Sequence, residues 1–294
     1  MSLVNIQGIL QHHSKLLEAE LNLDSNSARL EAQCLLQAVL QVNRAHLLTH
    51  PEQLLSDAQQ ARINALFERR LSGEPIAYLL GEREFYGLTF KISPATLIPR
   101  PETELLVDLA LQRISRQGTC RVLDLGTGSG AIALSIAHAR PHAKVVAVDI
   151  SPAALEVTQF NAQQLNLGNV RLLQSDWFTA LRGESFDIIV SNPPYIAVGD
   201  AHLAQGDVRF EPRIALVSGV NGLHDIQCIC TAAKIYLNDP GWLLFEHGYE
   251  QAVQVRALLQ QSGFVEIFSA CDLAGIERVT GGVIQESDSK PLPK

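Results

Sequence analysis

Thirteen residues, Val122-Leu123-Asp124-Leu125-Gly126-Thr127-Gly128-Ser129-Gly130-Ala131-Ile132-Ala133-Leu134, constrain the fold of this chain more than any other stretch. An apolar run, a glycine-rich turn and a second apolar run predict a buried strand, a tight turn and the start of a helix. Glycine lets backbone approach a ligand closely, so the turn is a candidate cradle. Taken alone it is ambiguous. A nicotinamide-binding Rossmann unit has a similar strand-turn-helix, and so does a tight turn with no ligand.

The residues that follow narrow the reading. Lys144-Val145-Val146-Ala147-Val148-Asp149 is a second strand, ending in a carboxylate nineteen positions after Gly130 and placed to accept from both hydroxyls of a ribose. Ser151-Pro152 then caps and opens a helix. A third strand, Val170 to Gln174, ends at Ser175-Asp176-Trp177, where a carboxylate and an indole can bracket an adenine. A fourth, Phe186 to Ser191, runs into Asn192-Pro193-Pro194-Tyr195. Acidic or aromatic groups at the ends of four successive strands converge on one crevice in an open parallel sheet.

The last of these tips has its own chemistry. Two prolines donate no backbone hydrogen bond and end the strand, which leaves flanking carbonyls free to accept from a ligand. The Asn192 amide offers one acceptor and a two-proton donor, and the Tyr195 ring can stack on a flat group. An amide or aminopurine nitrogen is the substrate that such a set can orient.

Together, DLGTGSG, Asp149, the Asp176-Trp177 pair and NPPY resemble the class I S-adenosylmethionine-dependent methyltransferases. The resemblance narrows with Thr96-Leu97-Ile98-Pro99-Arg100-Pro101-Glu102-Thr103-Glu104 and with Asp272-Leu273-Ala274-Gly275-Ile276-Glu277-Arg278-Val279, which are similar to the glutamine methyltransferases of peptide chain release factors. It covers nearly the whole chain, to about Gly282. It implies S-adenosyl-L-methionine as donor, S-adenosyl-L-homocysteine as product, and the glutamine of the release-factor Gly-Gly-Gln loop as acceptor. It places Asp124, Gly126, Thr127, Gly128, Ser129, Gly130, Asp149, Asp176, Trp177 and Asn192 at the cofactor. Asn192, Pro193, Pro194 and Tyr195 fall to the substrate, with Asn192, Pro193 and Tyr195 as the catalytic set and no metal. The implied fold is α/β, a Rossmann-like class I methyltransferase sheet with a small N-terminal helical bundle joined by a β-hairpin.

Three other readings compete. One is methylation of the exocyclic amine of adenine in nucleic acid, for which similar [DN]PPY motifs serve. Another is a ribosomal-protein glutamine methyltransferase, which shares NPPY but is disfavoured by Pro101-Glu102-Thr103-Glu104. A non-catalytic binding module would show a broken motif. Charge discriminates: the net charge is −8, and residues 1–90 hold seven Lys/Arg against ten Asp/Glu. A nucleic-acid partner normally meets a basic stripe, and the nearest thing here is Arg69-Arg70 in an otherwise mixed helix. Direct nucleic-acid binding is therefore not expected.

The first 75 residues show helical spacing, with Asp24 or Ser25 and Ser56 as candidate caps and Gly73 as a stop. The expected division is 1–75, a helical domain that recognises the protein substrate; 76–98, a hairpin linker; 99–283, the methyltransferase domain; and 284–294, a disordered tail. Pro101 is expected to open a helix ending near Gly118, with Glu102 or Glu104 as candidate cleft residues. Residues 196–216 are too long for an idle turn and read as a flap over the substrate. With no apolar stretch of membrane length and no secretion signal, the chain is expected to be cytoplasmic, and a monomer. The five cysteines are expected as buried thiols. His46 and His50 are four apart but lack further ligands for zinc. Ser191 is expected as a structural hydroxyl and Asp187 as a strand-edge partner.

Overall fold

The computed structural model describes residues 5–285. Two compact units divide it, one formed by residues 5–82 with 205–210 and the other by 83–204 with 211–285.

The first unit is helical: α1 (Ile6–Leu21), α2 (Ser25–Leu40), α3 (Arg44–Thr49), α4 (Asp57–Leu71) and α5 (Ile76–Leu80). Side chains start these helices as the sequence leads one to expect. Asp24 accepts from the N–H groups of Asn26 and Ser27, and Ser56 forms a reciprocal capping box with Gln59. Leu17, Leu35, Leu36, Ile63 and Phe67 close the core. Arg70 crosses it to Glu31, with Nε donating at 2.7 Å and Nη2 at 3.1 Å.

A hairpin follows, β1 (Glu82–Phe85) and β2 (Leu88–Lys91), which past Glu82 belongs to the second unit. Tyr86 and Gly87 at φ +54° and +74° turn it, a pairing that matches strand twist. The stretch 76–98 is thus not all hairpin, since α5 occupies its first residues. Next come α6 (Glu104–Arg113), β3 (Arg121–Leu125), α7 (Ala131–Ala139), β4 (Lys144–Asp149), α8 (Pro152–Gln164), β5 (Val170–Gln174) and β6 (Phe186–Ser191). The chain closes with α9 (His224–Ala233), β7 (Leu237–Glu246), α10 (Ala252–Gln261), β8 (Val265–Cys271) and β9 (Glu277–Ile284).

Seven strands form one sheet in the order β5-β4-β3-β6-β7-β9-β8. The five from β5 to β7 are parallel, and β9 runs against both its neighbours. Successive residues of β3 bury on opposite faces: Val122 packs with α6 and α7, Leu123 with α9 and α10. The chain steps outward from β3 to β5 and then returns to β6 on the other side. That reversal opens a crevice at the carboxyl ends of β3 and β6, where ligands bind in such sheets.

Three expectations about extent need correction. The helix after Pro101 is a 3-10 turn over Pro101–Thr103 followed by α6, and it stops at Arg113 instead of Gly118. Arg140 is the reason, for its guanidinium takes the carbonyls of Leu111 and Ile114 and satisfies the helix end from outside. Ile284, expected in the tail, completes β9, while the rest of that tail from 286 onward lies outside the described residues. Of the cysteines only Cys120 and Cys230 are buried; Cys228 and Cys271 are exposed. Among the described residues no helix is long and apolar enough to cross a membrane.

Candidate active site

The glycine turn after β3 is held from the neighbouring strand. Gly126 and Thr127 both donate backbone N–H to the Val148 carbonyl at 2.9 Å, and Gly130 donates to Thr127 at 2.8 Å. Gly126, Gly128 and Gly130 take φ of +72°, +57° and +86°, which side-chain-bearing residues rarely adopt. Asp124 lies fully buried beneath the turn and accepts from Thr127 Oγ1 at 2.6 Å. Burial pushes its carboxyl up to about 7, against the pull of the Thr127 hydroxyl.

Asp149, at the tip of β4, is also raised by burial, while backbone donors oppose the shift. Oδ2 accepts from Gly128 N and Oδ1 from Ser151 N, both at 2.9 Å. A carboxylate offers about four acceptor sites, so each oxygen can still take a ligand hydroxyl. Ser151 caps α8 through Ala154 N, with Pro152 at the first helical position.

A cleft of about 290 Å³ opens over these strand ends. Of the residues singled out in the sequence, Gly126, Thr127, Gly128, Ser129, Asp149, Asp176, Trp177, Asn192 and Pro194 line it. Trp177 sits at φ +45°, and Ser175 Oγ holds its carbonyl at 2.8 Å. A Cβ on Gly126 would stand 3.5 Å from the indole, so ring and turn face each other closely.

Four candidates lie elsewhere. Asp124 is fully buried and accepts from Thr127 Oγ1, and it is Thr127 that lines the cleft. Gly130 packs instead of lining: a Cβ there would fall 2.7 Å from Thr158 Cγ2. Pro193 is buried, though among the described residues no hydrogen bond ends on its carbonyl. Tyr195, expected as a stacking lid, is half-buried and outside the lining. Its hydroxyl donates to Glu246 Oε1 at 3.4 Å and its carbonyl accepts from Gln251 Nε2 at 3.0 Å.

Asn192 is anchored by its NH2, which donates to Thr103 Oγ1 at 3.4 Å. Thr103, buried in the 3-10 turn before α6, also lines the cleft. Neighbouring Glu104 does not: its carboxylate accepts from Tyr86 N at 2.9 Å, tying α6 to the hairpin. Glu102 is exposed and outside the lining. Ser191 donates to the Leu125 carbonyl at 2.8 Å, and Asp187 accepts from Arg121 N and Asn238 Nδ2.

The chain after Tyr195 returns over the cleft through Ile214, Ala215 and Val217. Ile196 and Val217 pair at its base. Glu211, buried, accepts from Ile98 N at 2.9 Å and from Arg100 Nη2 at 2.6 Å, which pins this return to the segment before α6. Sequence reading missed Thr103 and Asp225, which line the cleft, and Glu246, which accepts from Tyr195. Thr103 had a signal, since it lies inside the PRPETE stretch, whereas Glu246 sat in an ordinary strand. Among the described residues no cluster of His, Cys, Asp or Glu could hold a metal; His46 and His50 stack at 4.3 Å in the helical unit.

Residues 117–271 match the family model described as a methyltransferase domain, the class to which this sheet and cleft belong, and residues 9–81 match the PrmC N-terminal domain. Release factor glutamine methyltransferases of Salmonella typhimurium and Bordetella pertussis are each 51% identical to it, over 88% and 89% of this chain and 93% and 97% of theirs. The chain belongs to the release factor glutamine methyltransferase family. Among solved structures, a 16S rRNA methyltransferase of T. thermophilus in complex with AdoMet and guanosine aligns at a TM-score of 0.51, with 25% identity over 69% of this chain and 50% of that one.

Proposed function

We propose that this chain transfers a methyl group from S-adenosyl-L-methionine to the side-chain amide nitrogen of the glutamine in the Gly-Gly-Gln motif of peptide chain release factors. One observation carries the reading. At the tip of β6 the Asn192 NH2 is taken by Thr103, which leaves Oδ1 as an acceptor beside a Pro193 carbonyl that no described donor reaches. Two acceptors suit the two N–H bonds of a carboxamide.

The residues present fit the cofactor. Asp149 retains lone pairs for ribose hydroxyls, Asp176 and Trp177 offer a carboxylate and an indole to an adenine, and a turn with no Cβ at Gly126 or Gly128 admits close backbone approach. When bound, S-adenosyl-L-methionine supplies an electrophilic methyl group on a sulfonium sulfur. A carboxamide nitrogen is a poor nucleophile because its lone pair is delocalised, so the protein's lever is position. Asn192 Oδ1 and the Pro193 carbonyl accept the two amide protons and fix the plane of the nitrogen. As positive charge grows on that nitrogen both bonds strengthen, which favours the transition state over the bound amide. The proton can then leave to water. We assign recognition of the protein substrate to the helical unit.

The test is direct. Methyl-labelled cofactor is incubated with the enzyme and, in parallel, a release factor, its Gln-to-Ala loop variant, a ribosomal protein or an adenine-containing oligonucleotide. Label in the intact release factor alone supports the reading; label in the oligonucleotide or ribosomal protein alone overturns it.

A further inference from the structure

We infer that Glu246 is a positioning residue for amide transfer: its carboxylate, beside the side chains of Thr103 and Asn192, fixes which end of the Asn192 amide faces the cleft. The inference rests on the role proposed above for Asn192.

The sheet register brings the two together. Ser191 of β6 pairs with Phe245 of β7, so Asn192 and Glu246 follow side by side at adjacent strand tips. Glu246 is only 3% exposed, and its Oε2 has no hydrogen-bond partner among the described residues. A buried carboxylate oxygen left without a donor is costly and calls for a reason. Around it stand the Tyr195 hydroxyl, 3.4 Å from Oε1, and the buried Thr103 hydroxyl, whose interaction with Glu246 favours the ionised form.

Thr103 has one proton to give. Its oxygen accepts from Asn192 Nδ2, and the Thr103 and Asn192 side chains both favour the ionised form of Glu246, which makes that carboxylate the acceptor for the Thr103 proton. An ionised carboxylate only accepts, which orients the donors around it: Asn192 NH2 toward Thr103 and Glu246, the Thr103 hydroxyl toward Glu246, and Tyr195 to Glu246. The Asn192 Oδ1 atom is thereby left for the substrate. A protonated Glu246 reverses the logic. It becomes a donor, Thr103 can then donate toward Asn192, and a turned amide shows its NH2 to an incoming NH2.

The charges facing Glu246 set when this happens. Burial is the largest influence and pushes its carboxyl up to about 7; Thr103, Asn192 and Arg278 of β9 oppose the rise, and Glu102 of the 3-10 turn adds to it. Arg100 and Arg278 also act on Tyr195. The orienting carboxylate therefore gains and loses its proton near neutral pH.

The experiment compares wild type with Glu246→Gln, Thr103→Val and Thr103→Ser, measuring release-factor methylation against pH, cofactor affinity by calorimetry and the melting midpoint. Wild-type kcat is expected to rise with pH through a limb near 7. In Glu246→Gln the limb disappears and the plateau falls by about a hundredfold, the scale of a misplaced reacting group, with cofactor Kd within about twofold of wild type. Thr103→Val shows the same fall, and Thr103→Ser, which keeps the hydroxyl, stays within about threefold of wild type. A purely structural residue would lower the melting midpoint and cofactor affinity together and leave the limb in place, and that result overturns the inference. So does wild-type kcat in either Glu246→Gln or Thr103→Val. If wild type itself labels no release factor, the proposed function fails; if wild type labels it and Glu246→Gln matches it at every pH, only the role of Glu246 falls.

Discussion

Asp149 Oδ2 accepts the backbone N–H of Gly128 at 2.9 Å, so the carboxylate at the end of β4 braces the glycine turn at the end of β3. Two features that the sequence separates by 21 positions form one unit, with the cleft lying over both. The brace leaves lone pairs on the same group for the proposed ligand contact.

Asp149→Ala removes both. Loss of hydrogen bonds to a charged acceptor is worth about 1.5–3 kcal/mol, so the cofactor Kd is expected to rise roughly tenfold to a hundredfold. Those bonds serve ground and transition states alike, and kcat at saturating cofactor should fall much less. Calorimetric titration with S-adenosyl-L-homocysteine checks it; unchanged affinity contradicts the ribose assignment.

Asn192→Ala should show the opposite split. Alanine cannot accept the substrate amide proton, and removal of one such acceptor from a preorganised site costs about a hundredfold to a thousandfold in kcat. Cofactor affinity should change by less than kcat does. Steady-state methylation of a release factor at saturating cofactor is the measurement, and wild-type turnover in the variant would sink the amide-clamp mechanism.

Much of this site was readable because its chemistry sits at strand tips, where a local pattern of apolar run then polar residue marks both the element and its end. Asp149, Asp176, Trp177 and Asn192 carry that mark, and all four line the cleft. Thr103 and Glu246 matter only through partners far away in sequence. Glu246 stands beside Asn192 because β6 and β7 keep one register from Ile188 and Trp242 to Ser191 and Phe245, and a shift of one residue would turn it to the other face. The end of α6 is not legible in sequence for a similar reason, since Arg140 caps it from 26 and 29 positions away. Gly130 was legible as a glycine but not as a packing residue, because Thr158 arrives from α8.

Gly130→Ala tests that packing role. The new Cβ must sit at φ +86° and within 3.0 Å of both Thr158 Cγ2 and Leu134 Cδ1. Positive φ and overpacking each cost on the order of 1–3 kcal/mol. The melting midpoint should drop accordingly, and Thr158→Ser, which deletes the offending methyl but keeps the hydroxyl bonded to Gly128 O at 2.8 Å, should recover part of the loss. A double variant no more stable than Gly130→Ala would place the strain elsewhere.

His13 gives the helical unit its own acid sensitivity. Its ring is buried and stacks on Phe67, with centroids 3.8 Å apart and planes within 8°. Burial, reinforced by neighbouring His12, lowers its pKa from 6.5 to about 4, so the folded protein holds the neutral ring. Between those two values the unfolded chain binds more protons than the folded one, and stability must fall as pH falls through that window. Above about pH 6.5 both states are neutral at this position and the contribution is constant. His13→Phe has no proton to gain. Urea unfolding followed at several pH values should therefore show a shallower loss of stability between about pH 6.5 and 4 in the variant than in wild type. Identical slopes would mean that the ring already finds a proton in the folded state, which its stacked and desolvated setting argues against.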